Sequence, residues 1–515
     1  MLRWLCIAAW GRLAGVSLLG LLPFRAMAQV VAADTLCTSQ PHLGEILSAT
    51  DSAFTPFADT LKAKRHPWRA AGYTLLINGG IYAVDHWLLE KNYAQTTWKT
   101  IKENLSRGLA WDYDGLATNF FYHPYHGNLY FTAARASGMS FWASSLYALG
   151  GSMTWEAFCE NEPPAWNDLA STTFGGIALG EVAHRLSERI LDPRARGVRR
   201  VWRELAAAVV SPMRGFDRLL TGKAWHVAAR DAEGARFCSE PLHLWVDIGD
   251  RYLAAPDEDL HGVHLPHVGI GLTYGNFYVA QPDRSPYTYF DTQISLSFGK
   301  KQPTVDRLDL VGRIAAVPVR DKGRWNVTFG CYQHLLYALC NAVSDGLNNP
   351  YKFSEAAALG PGIGCRLVDK ANRTVLDCRL YADAILMGGI LTDHVRMGER
   401  DYSFGSGYAL KGALGWHPVP WASLGARADF FHLFTWDGYP PQQPGAEPIP
   451  IIDSPQGDKG NSRFLMLSAS ASARLSTRFG LAIEAVRLGR VTHYADYPTV
   501  STATYDVRMS ARLYF

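Results

Sequence analysis

The end of the chain alternates strictly between apolar and polar residues. In the closing sequence YDVRMSARLYF, Val507, Met509 and Leu513 share one face of an extended chain. Asp506 and Arg508 fall on the opposite face. Successive side chains of a β-strand point to opposite sides of the sheet, so this period of two predicts a strand with one apolar and one charged face.

The same alternation recurs through the C-terminal half of the chain. Short connections such as 476–478 alternate with long ones such as the proline-rich stretch 438–460. This alternation of connection lengths is typical of membrane barrels, whose turns are short on one side and long on the other. The pattern predicts about twelve antiparallel strands, at 241–252, 266–280, 287–299, 307–319, 323–337, 352–368, 373–388, 402–416, 421–436, 463–476, 478–489 and 502–515.

The first 28 residues have the pattern of a secretory signal peptide. Arg3 is followed by an apolar stretch and by the small residues 26–28, so cleavage is expected after Ala28. Residues 505–515 resemble the last strand of bacterial outer-membrane barrels, which ends in an aromatic residue, here Phe515. The resemblance implies that the apolar faces contact lipid and the charged faces line the lumen. We therefore predict localisation in the bacterial outer membrane, with outer-membrane lipid and the barrel assembly machinery as partners.

Residues 56–225 lack the period of two and are predicted to be helical. Three stretches, 67–91, 137–158 and 166–191, are moderately apolar and rich in small residues, which let helices approach closely. The predicted fold class is α+β, an N-terminal helical bundle domain followed by a C-terminal antiparallel transmembrane β-barrel of about 12 strands. The predicted segments are the signal peptide 1–28, a mature N-terminal segment 29–55, a helical periplasmic or membrane-associated domain 56–225, a linker 226–240 and the barrel 241–515. An even strand number returns both ends of the barrel to one side, so the helical domain is expected in the periplasm.

Charge and cysteine content restrict the possible partners. The formal net charge of +3 gives no electrostatic basis for binding nucleic acid, so none is expected. The basic stretch 185–223 is predicted to present either a solvated helix face or a face resting on lipid headgroups. Two cysteine pairs, Cys365 with Cys378 and Cys331 with Cys340, are candidate disulfides in an oxidising compartment.

The sequence FYHPYHGNLYF at 121–131 raises the question of a functional site. Residues that could join its histidines in a site are His123, His126, Glu156, Asp168, Glu181 and His184. A histidine oriented by a carboxylate could act as a base on a lipid ester or phosphate. Glu181 and His184 are three apart on a helix, which is half of the pattern of a di-metal carboxylate site. Alternatively, a His-Pro turn caps a helix and is anchored by hydrogen bonds to Glu156 or Asp168.

Four blocks carry a resemblance to a known family. HPYHGNLYF, FWASSLYALGGSMTWEAF, NDLASTTFGGIALGEVAHRL and SPMRGFDRLLTG occur in this order between about 100 and 220. Together they resemble the bacterial envelope family known as domain of unknown function 3943. The resemblance implies a helical envelope domain followed by an outer-membrane barrel, but it implies no activity.

Three functions follow from these observations. The first is a structural or lipid-handling role in the cell envelope, with the helical domain plugging or docking on the barrel. The second is an envelope lipid hydrolase or acyl transferase that uses the histidine and carboxylate residues. The third is a channel or porin, for which a twelve-stranded barrel is narrow and easily filled by side chains. Cofactor, substrate and oligomeric state do not follow from the sequence.

Overall fold

The computed structural model describes residues 64–515 apart from 112–113, 194, 228–239, 256–261, 280–284, 300–301, 322, 342–350, 396–400, 437 and 439–456. The predicted signal peptide, the segment 29–55 and most of the predicted linker lie outside these residues. The described α-helices are α1 Pro67–Ala83, α2 Trp98–Arg107, α3 His123–Ala136, α4 Phe141–Phe158, α5 Trp166–Ala170, α6 Gly176–Ile190, α7 Gly197–Val210 and α8 Pro212–Leu220. The π-helical segments Val84–Leu88, Thr118–Tyr122 and Ser171–Gly175 follow α1, precede α3 and join α5 to α6, respectively. None of the described helices is both long and apolar enough to cross a membrane by itself.

A closed antiparallel barrel of twelve strands follows the helices. Each strand pairs with its neighbours in the sequence, and β12 closes the barrel against β1. The strands are β1 Leu242–Ala254, β2 Gly262–Tyr274, β3 Phe290–Ser297, β4 Val305–Arg320, β5 Trp325–Cys340, β6 Tyr351–Val368, β7 Thr374–Leu391, β8 Tyr402–Val419, β9 Ala422–Thr435, β10 Gly460–Arg474, β11 Phe479–Tyr494 and β12 Val500–Tyr514. The α+β class and the twelve strands are confirmed.

The largest error in the predicted strands concerns β2. The sequence placed it at 266–280, but it ends at Tyr274 because Gly275 takes a φ of +75°. Only glycine adopts this conformation without strain, and an added Cβ would lie 1.9 Å from the carbonyl oxygen of Thr288. The chain therefore turns out of the sheet six residues earlier than the apolar pattern suggested.

The two predicted cysteine pairs differ in whether their members lie close together in the structure. Cys365 and Cys378 face each other as register partners on β6 and β7, as the hairpin predicted, and both are free thiols. The pairing of Cys331 with Cys340 is wrong, because both lie on β5. Nine residues of strand separate them by about 30 Å, which no disulfide can bridge.

The two faces of the barrel differ as the alternation predicted. The outer face carries exposed apolar side chains such as Leu380, Leu410 and Leu414. The inner face carries buried charged residues that are paired with one another. Lys411, for example, is 3.0 Å from Asp383 and also contacts Glu355.

Side chains from opposite walls meet inside the barrel. Arg427 on β9 reaches Asp309 on β4 at 2.5 Å, and Arg508 on β12 reaches Asp306 on β4 at 2.8 Å. We call the end of the barrel at Leu242, Tyr274 and Tyr514 the proximal rim, and the opposite end, at Cys340 and Tyr402, the loop rim. Aromatic rings close the inside near both rims. Phe353, Phe431 and Phe464 stack near the loop rim, and Phe277, Tyr332 and Tyr381 pack towards the proximal rim.

Helix α3 lies at the centre of the helical domain, with α1, α4 and α6 packed around it. Its closest approach is at Gly127, where an added Cβ would lie 1.8 Å from the carbonyl oxygen of Thr172. Gly176 meets the backbone of Gly127 in the same way, at 2.5 Å. These glycines let the two backbones touch, as small residues do in tightly packed membrane helices.

The helical domain packs against the outer wall of the barrel. On β5, His334 and Leu336 face the lumen, whereas Leu335 and Tyr337 point outwards and are nevertheless 0% and 2% exposed. The same apolar cluster joins residues of α3, α4 and α6 to outward-facing residues of the barrel wall. The barrel residues in this contact are Leu272, Tyr274, Phe290, Leu308, Leu310, Leu335, Tyr337, Met387, Tyr402 and Phe404. They run from the proximal rim at β2 to the loop rim at β8.

Glycine packing in the helical domain can be tested with a matched pair of variants. Gly127→Ala should destabilise the domain by about 1–3 kcal/mol, because the methyl group collides with the backbone of Thr172. Gly150→Ala on α4 should instead stabilise it by up to about 1 kcal/mol, since nothing lies within 4 Å of the added methyl group and alanine favours helix. Thermal unfolding followed by circular dichroism at the helix band measures both, and equal effects would contradict the packing.

Candidate functional site

The six residues predicted from sequence fall into four separate places. His123 and Asp168 are brought together, whereas His126 and Glu156 have other partners. Glu181 and His184 share a helix but not a partner. The structure therefore supports one cluster, centred on His123, rather than a six-residue site.

His123 joins two side chains from the neighbouring helical segments. Its Nε2 lies 3.2 Å from the Asp168 carboxylate, and its Nδ1 lies 3.2 Å from the Thr172 hydroxyl. A carboxylate only accepts hydrogen bonds, so Nε2 carries the proton in the neutral ring and Nδ1 accepts from Thr172. All three residues are buried, with 9% of His123 exposed and less of the others. The order hydroxyl, imidazole and carboxylate is the one found in hydrolytic triads.

The cluster continues to the barrel as a chain of hydrogen bonds. Asn167 donates to Asp168 and to Asn119, both at 2.8 Å. Asn119 in turn donates to the hydroxyl of Tyr402 at 2.7 Å. Tyr402 lies on the outer face of β8, so this buried polar chain runs from the barrel wall to His123. We call these residues, together with Thr172, the docking chain.

Two π-helical segments position the docking chain. Thr118–Tyr122 carries Asn119 and leads into α3 at His123, and Ser171–Gly175 carries Thr172. Single π turns inside helices are frequent at functional positions, since they change the direction in which the following side chains point. Pro124 packs on Gly175, which has no Cβ to keep the segments apart. The predicted His-Pro turn is therefore wrong, because His123 and Pro124 lie within one continuous helix.

His126 faces a different part of the domain. Its Nε2 is 2.7 Å from the hydroxyl of Tyr130, and that hydroxyl donates to Asn78 on α1. With its ring packed against Trp155, His126 holds α3 to its neighbours.

Glu156 closes the end of α4. Its Oε2 accepts a hydrogen bond from the backbone N–H of Ala165 at 3.0 Å, just before α5 begins. A buried carboxylate here satisfies a backbone N–H at a helix start, a role that the sequence analysis did not consider. The predicted link from Glu156 to His123 is not among the contacts that the structure describes.

Glu181 and His184 are held by arginines. Glu181 accepts hydrogen bonds from Arg135 at 3.2 Å and from Arg185 at 3.0 Å. His184 receives a hydrogen bond from Arg214 at 2.8 Å, and burial followed by the charge of Arg135 lowers its pKa. Cations beside both residues disfavour a metal ion. Among the residues that the structure describes, no group of three or more His, Cys, Asp or Glu could hold one.

Arg185 makes a second polar contact with the barrel. Its guanidinium donates to the hydroxyl of Ser285 at 3.0 Å and to the carbonyl of Pro286 at 2.5 Å, in the connection between β2 and β3. Between the two ends, Gln333 of β5 donates to the carbonyl of Phe174 at 2.9 Å. The domain is thus attached by polar contacts near the proximal rim, in the middle and near the loop rim.

Sequence reasoning missed most of these contact residues. Asn119 and Tyr402 belong to no motif, and Tyr402 is more than 280 residues away from Asn119 in the sequence. Asn167 and Arg185 lie in a block that was singled out for its family resemblance, but neither was assigned a contact with the barrel. A buried asparagine that faces an apolar outer wall indicates this contact, but the arrangement is visible in the folded structure and not in the sequence.

The prediction that the basic stretch 185–223 presents its charges to water or lipid headgroups is wrong for two arginines of α7. On α7, Arg200 and Arg203 point inwards and are 7% and 3% exposed. Arg200 donates to the carbonyl of Ala224 at 2.7 Å, and Arg203 to that of Ile190 at 2.8 Å. They satisfy backbone carbonyls rather than facing water or lipid headgroups.

The docking chain can be tested at its barrel end. Tyr402→Phe removes a hydroxyl that accepts from Asn119 and donates to the Asp114 carbonyl, at a cost of about 1–3 kcal/mol. Proteolysis of the helical domain in detergent should become about 5- to 100-fold faster if it proceeds through undocking. Tyr408→Phe is the matched control, since this exposed tyrosine lies on the same face of β8 and bonds His432. Equal acceleration in both variants would contradict the docking role.

The barrel is similar to solved outer-membrane proteins. The NanC porin has 10% sequence identity and a TM-score of 0.25, covering 52% of this chain and 98% of its own. OmpT of Vibrio cholerae has 7% identity and a TM-score of 0.23, covering 53% and 97%. The channel DcaP of Acinetobacter baumannii has 8% identity and a TM-score of 0.20, covering 53% and 96%. Scores this low carry no argument about function.

The family comparison concerns the helices. Among curated proteins, none matches this chain. The model of a domain of unknown function, DUF3943, matches residues 108–213, which contain the docking chain up to the barrel wall. The match confirms the resemblance seen in the four sequence blocks. Residues 108–213 are therefore similar to the DUF3943 family, in a chain whose C-terminal part is a closed twelve-stranded β-barrel.

Proposed function

We propose that this protein has a structural or lipid-handling role in the outer membrane. Its barrel is an anchor with a filled interior, and its helical domain is fixed to the outer wall of that anchor. The docking chain carries the proposal, because the residues that could form a site are used to join helices to barrel. The barrel assembly machinery is the partner expected to insert it.

The filled interior supports an anchor rather than a pore. Ion pairs such as Arg427 with Asp309 join strands that are not neighbours, so they cross the inside of the barrel. Breaking such a buried pair leaves an uncompensated charge, which costs about 3–5 kcal/mol. An open channel would need several of these contacts, and the aromatic layers near both rims, to be displaced together.

The even number of strands supports the expectation that the chain enters the barrel from the periplasm. The barrel begins at Leu242 and ends at Tyr514, both at the proximal rim. The longest connection, 436–459, lies at the loop rim, as do most of the other long ones, whereas the connection 275–289 lies at the proximal rim. We take the proximal rim as periplasmic, because long loops of such barrels face outside the cell. The chain then enters the barrel from the periplasm.

A lipid hydrolase or acyl transferase is the second candidate. The observation in its favour is the order Thr172, His123 and Asp168, at distances of 3.2 Å. In such an enzyme His123 would take the proton of the Thr172 hydroxyl, and Asp168 would hold the ring in the required tautomer. The burial of Thr172, 2% exposed, means that substrate would have to open the domain first.

Conductance in planar bilayers tests the anchor. We expect no stable open-channel current from the wild-type protein. Replacing Phe353, Phe431 and Phe464 with alanine should also give no stable current, because the ion pairs across the lumen and the ring layer towards the proximal rim remain in place. Phe430→Ala is the control, since this neighbour of Phe431 lies on the outer face of β9 beside Tyr408. A wild-type current proportional to salt concentration would overturn the anchor in favour of a channel.

A pair of Thr172 variants separates structure from catalysis. Thr172→Ser keeps a hydroxyl, whereas Thr172→Val keeps the shape without one. In vesicles made from outer-membrane lipids, we expect all three proteins to leave the lipids unchanged by mass spectrometry. Products that form with wild type and Thr172→Ser but not with Thr172→Val would instead establish the enzyme.

A further inference from the structure

Three helices of the domain have their polar side turned inwards. On α4, Trp142, Leu146, Leu149 and Met153 form an exposed stripe, with exposures from 38% to 69%. The opposite side of α4 carries its only charged residue, Glu156, which is 1% exposed. A helix on the surface of a water-soluble protein shows the reverse pattern, with its apolar side buried.

Helix α1 also exposes apolar side chains and buries polar ones. Trp68, Leu75 and Leu76 are 87%, 62% and 52% exposed, whereas Thr74 and Asn78 are buried against the domain. The charge on α1, Arg69, is turned towards Asp217 of α8 at 3.4 Å. No charged side chain is exposed along α1 in the part that the structure describes.

Helix α7 is the third case. Val198, Val201, Leu205 and Val209 are 51% to 73% exposed and follow a helical spacing. Arg200 and Arg203 are buried on the other side, and Arg199 in the first turn is the charged residue that α7 leaves exposed. Ionisable residues within membranes face the protein interior in this way, because lipid cannot solvate them.

Of these three helices, α4 reaches the wall of the barrel, since its Phe141 and Ala148 belong to the apolar cluster that covers the wall. The contact runs along the outer face from Tyr274 at the proximal rim to Tyr402 at the loop rim. An outer-membrane barrel presents this face to lipid, so whatever covers the wall occupies the depth of the bilayer. A helical domain hanging below the barrel could not reach Tyr402.

We propose that the helical domain lies within the outer-membrane bilayer beside the barrel, and that the outward faces of α1, α4 and α7 contact lipid acyl chains. The occupant of these faces is lipid rather than a second protein, because the domain that carries them covers an outer wall that lipid otherwise surrounds. Exposed apolar areas of this size on a protein in water would instead be sites of aggregation or binding. Helix α2 differs, since Lys99, Lys102 and Glu103 are exposed on it, and it lies at the water interface.

Photocrosslinking tests this placement in the full-length protein. A diazirine amino acid is introduced at Leu146 on α4, with a second variant at Leu205 on α7. Leu414 on the outer face of β8 is the reference for lipid, and Lys102 on α2 is the reference for water. The proteins are reconstituted in vesicles of phosphatidylethanolamine and phosphatidylglycerol, checked for folding by heat-modifiable gel migration, irradiated and analysed by mass spectrometry.

We expect lipid adducts at Leu146 and Leu205 at a yield similar to that at Leu414 and several-fold above that at Lys102. Water addition at Leu146 and Leu205 like that at Lys102 would overturn the proposal, because the helices would then face solvent. Crosslinks from these positions to a second copy of the chain would overturn it as well, since protein rather than lipid would cover the faces. Because the two positions lie on different helices, one variant still gives a crosslinking result if the other misfolds.

Discussion

The rest of the molecule depends on the contact between the helices and the outer wall of the barrel. Leu335 and Tyr337 point away from the lumen, as lipid-facing residues do, yet protein covers them completely. In a bilayer, covering apolar wall with apolar helix yields little free energy, because lipid tails are as apolar as leucine. Close packing and polar contacts must therefore hold the domain in place, and both are present. Gly389 of β7 lets the ring of Phe120 lie directly on the wall, since an added Cβ would be 2.5 Å from that ring, and the docking chain joins Asn119 to Tyr402.

The docking chain also explains why so many polar residues occupy helices that expose apolar ones. A buried amide or carboxylate is costly when it lacks a partner and contributes specificity when it has one. Asn119 and Asn167 each bridge two groups, so undocking would break several hydrogen bonds together. Arg185 performs the same task near the proximal rim, where Glu181 orients it. Residues that resemble a catalytic or metal site in the sequence thus have partners that fit attachment.

The sequence predicted the barrel well and the site poorly, for a physical reason. A strand that separates lipid from a charged interior must alternate between apolar and polar side chains along its length. The local pattern alone therefore located all twelve strands. A carboxylate partner for the histidines was expected, with Glu156 and Asp168 both left open, and the structure places Asp168 beside His123. The partners of Glu181 and His184, and the barrel end of the docking chain, depend on contacts between distant parts of the chain that no local period encodes.

Crosslinking between helix and wall is the most direct measurement of this arrangement. The rings of Phe121, just before α3, and Tyr337 on β5 are 5.9 Å apart. With cysteines at these two positions, a short bifunctional methanethiosulfonate should join them in intact membranes. Cysteines at Phe121 and Phe329 are the control, because Phe329 lies on the same face of β5, eight residues nearer the proximal rim, and is 47% exposed. We expect a crosslink in the first pair alone, with the single variants accounting for native thiols. Absence of that crosslink in a folded barrel would contradict docking on the outer wall.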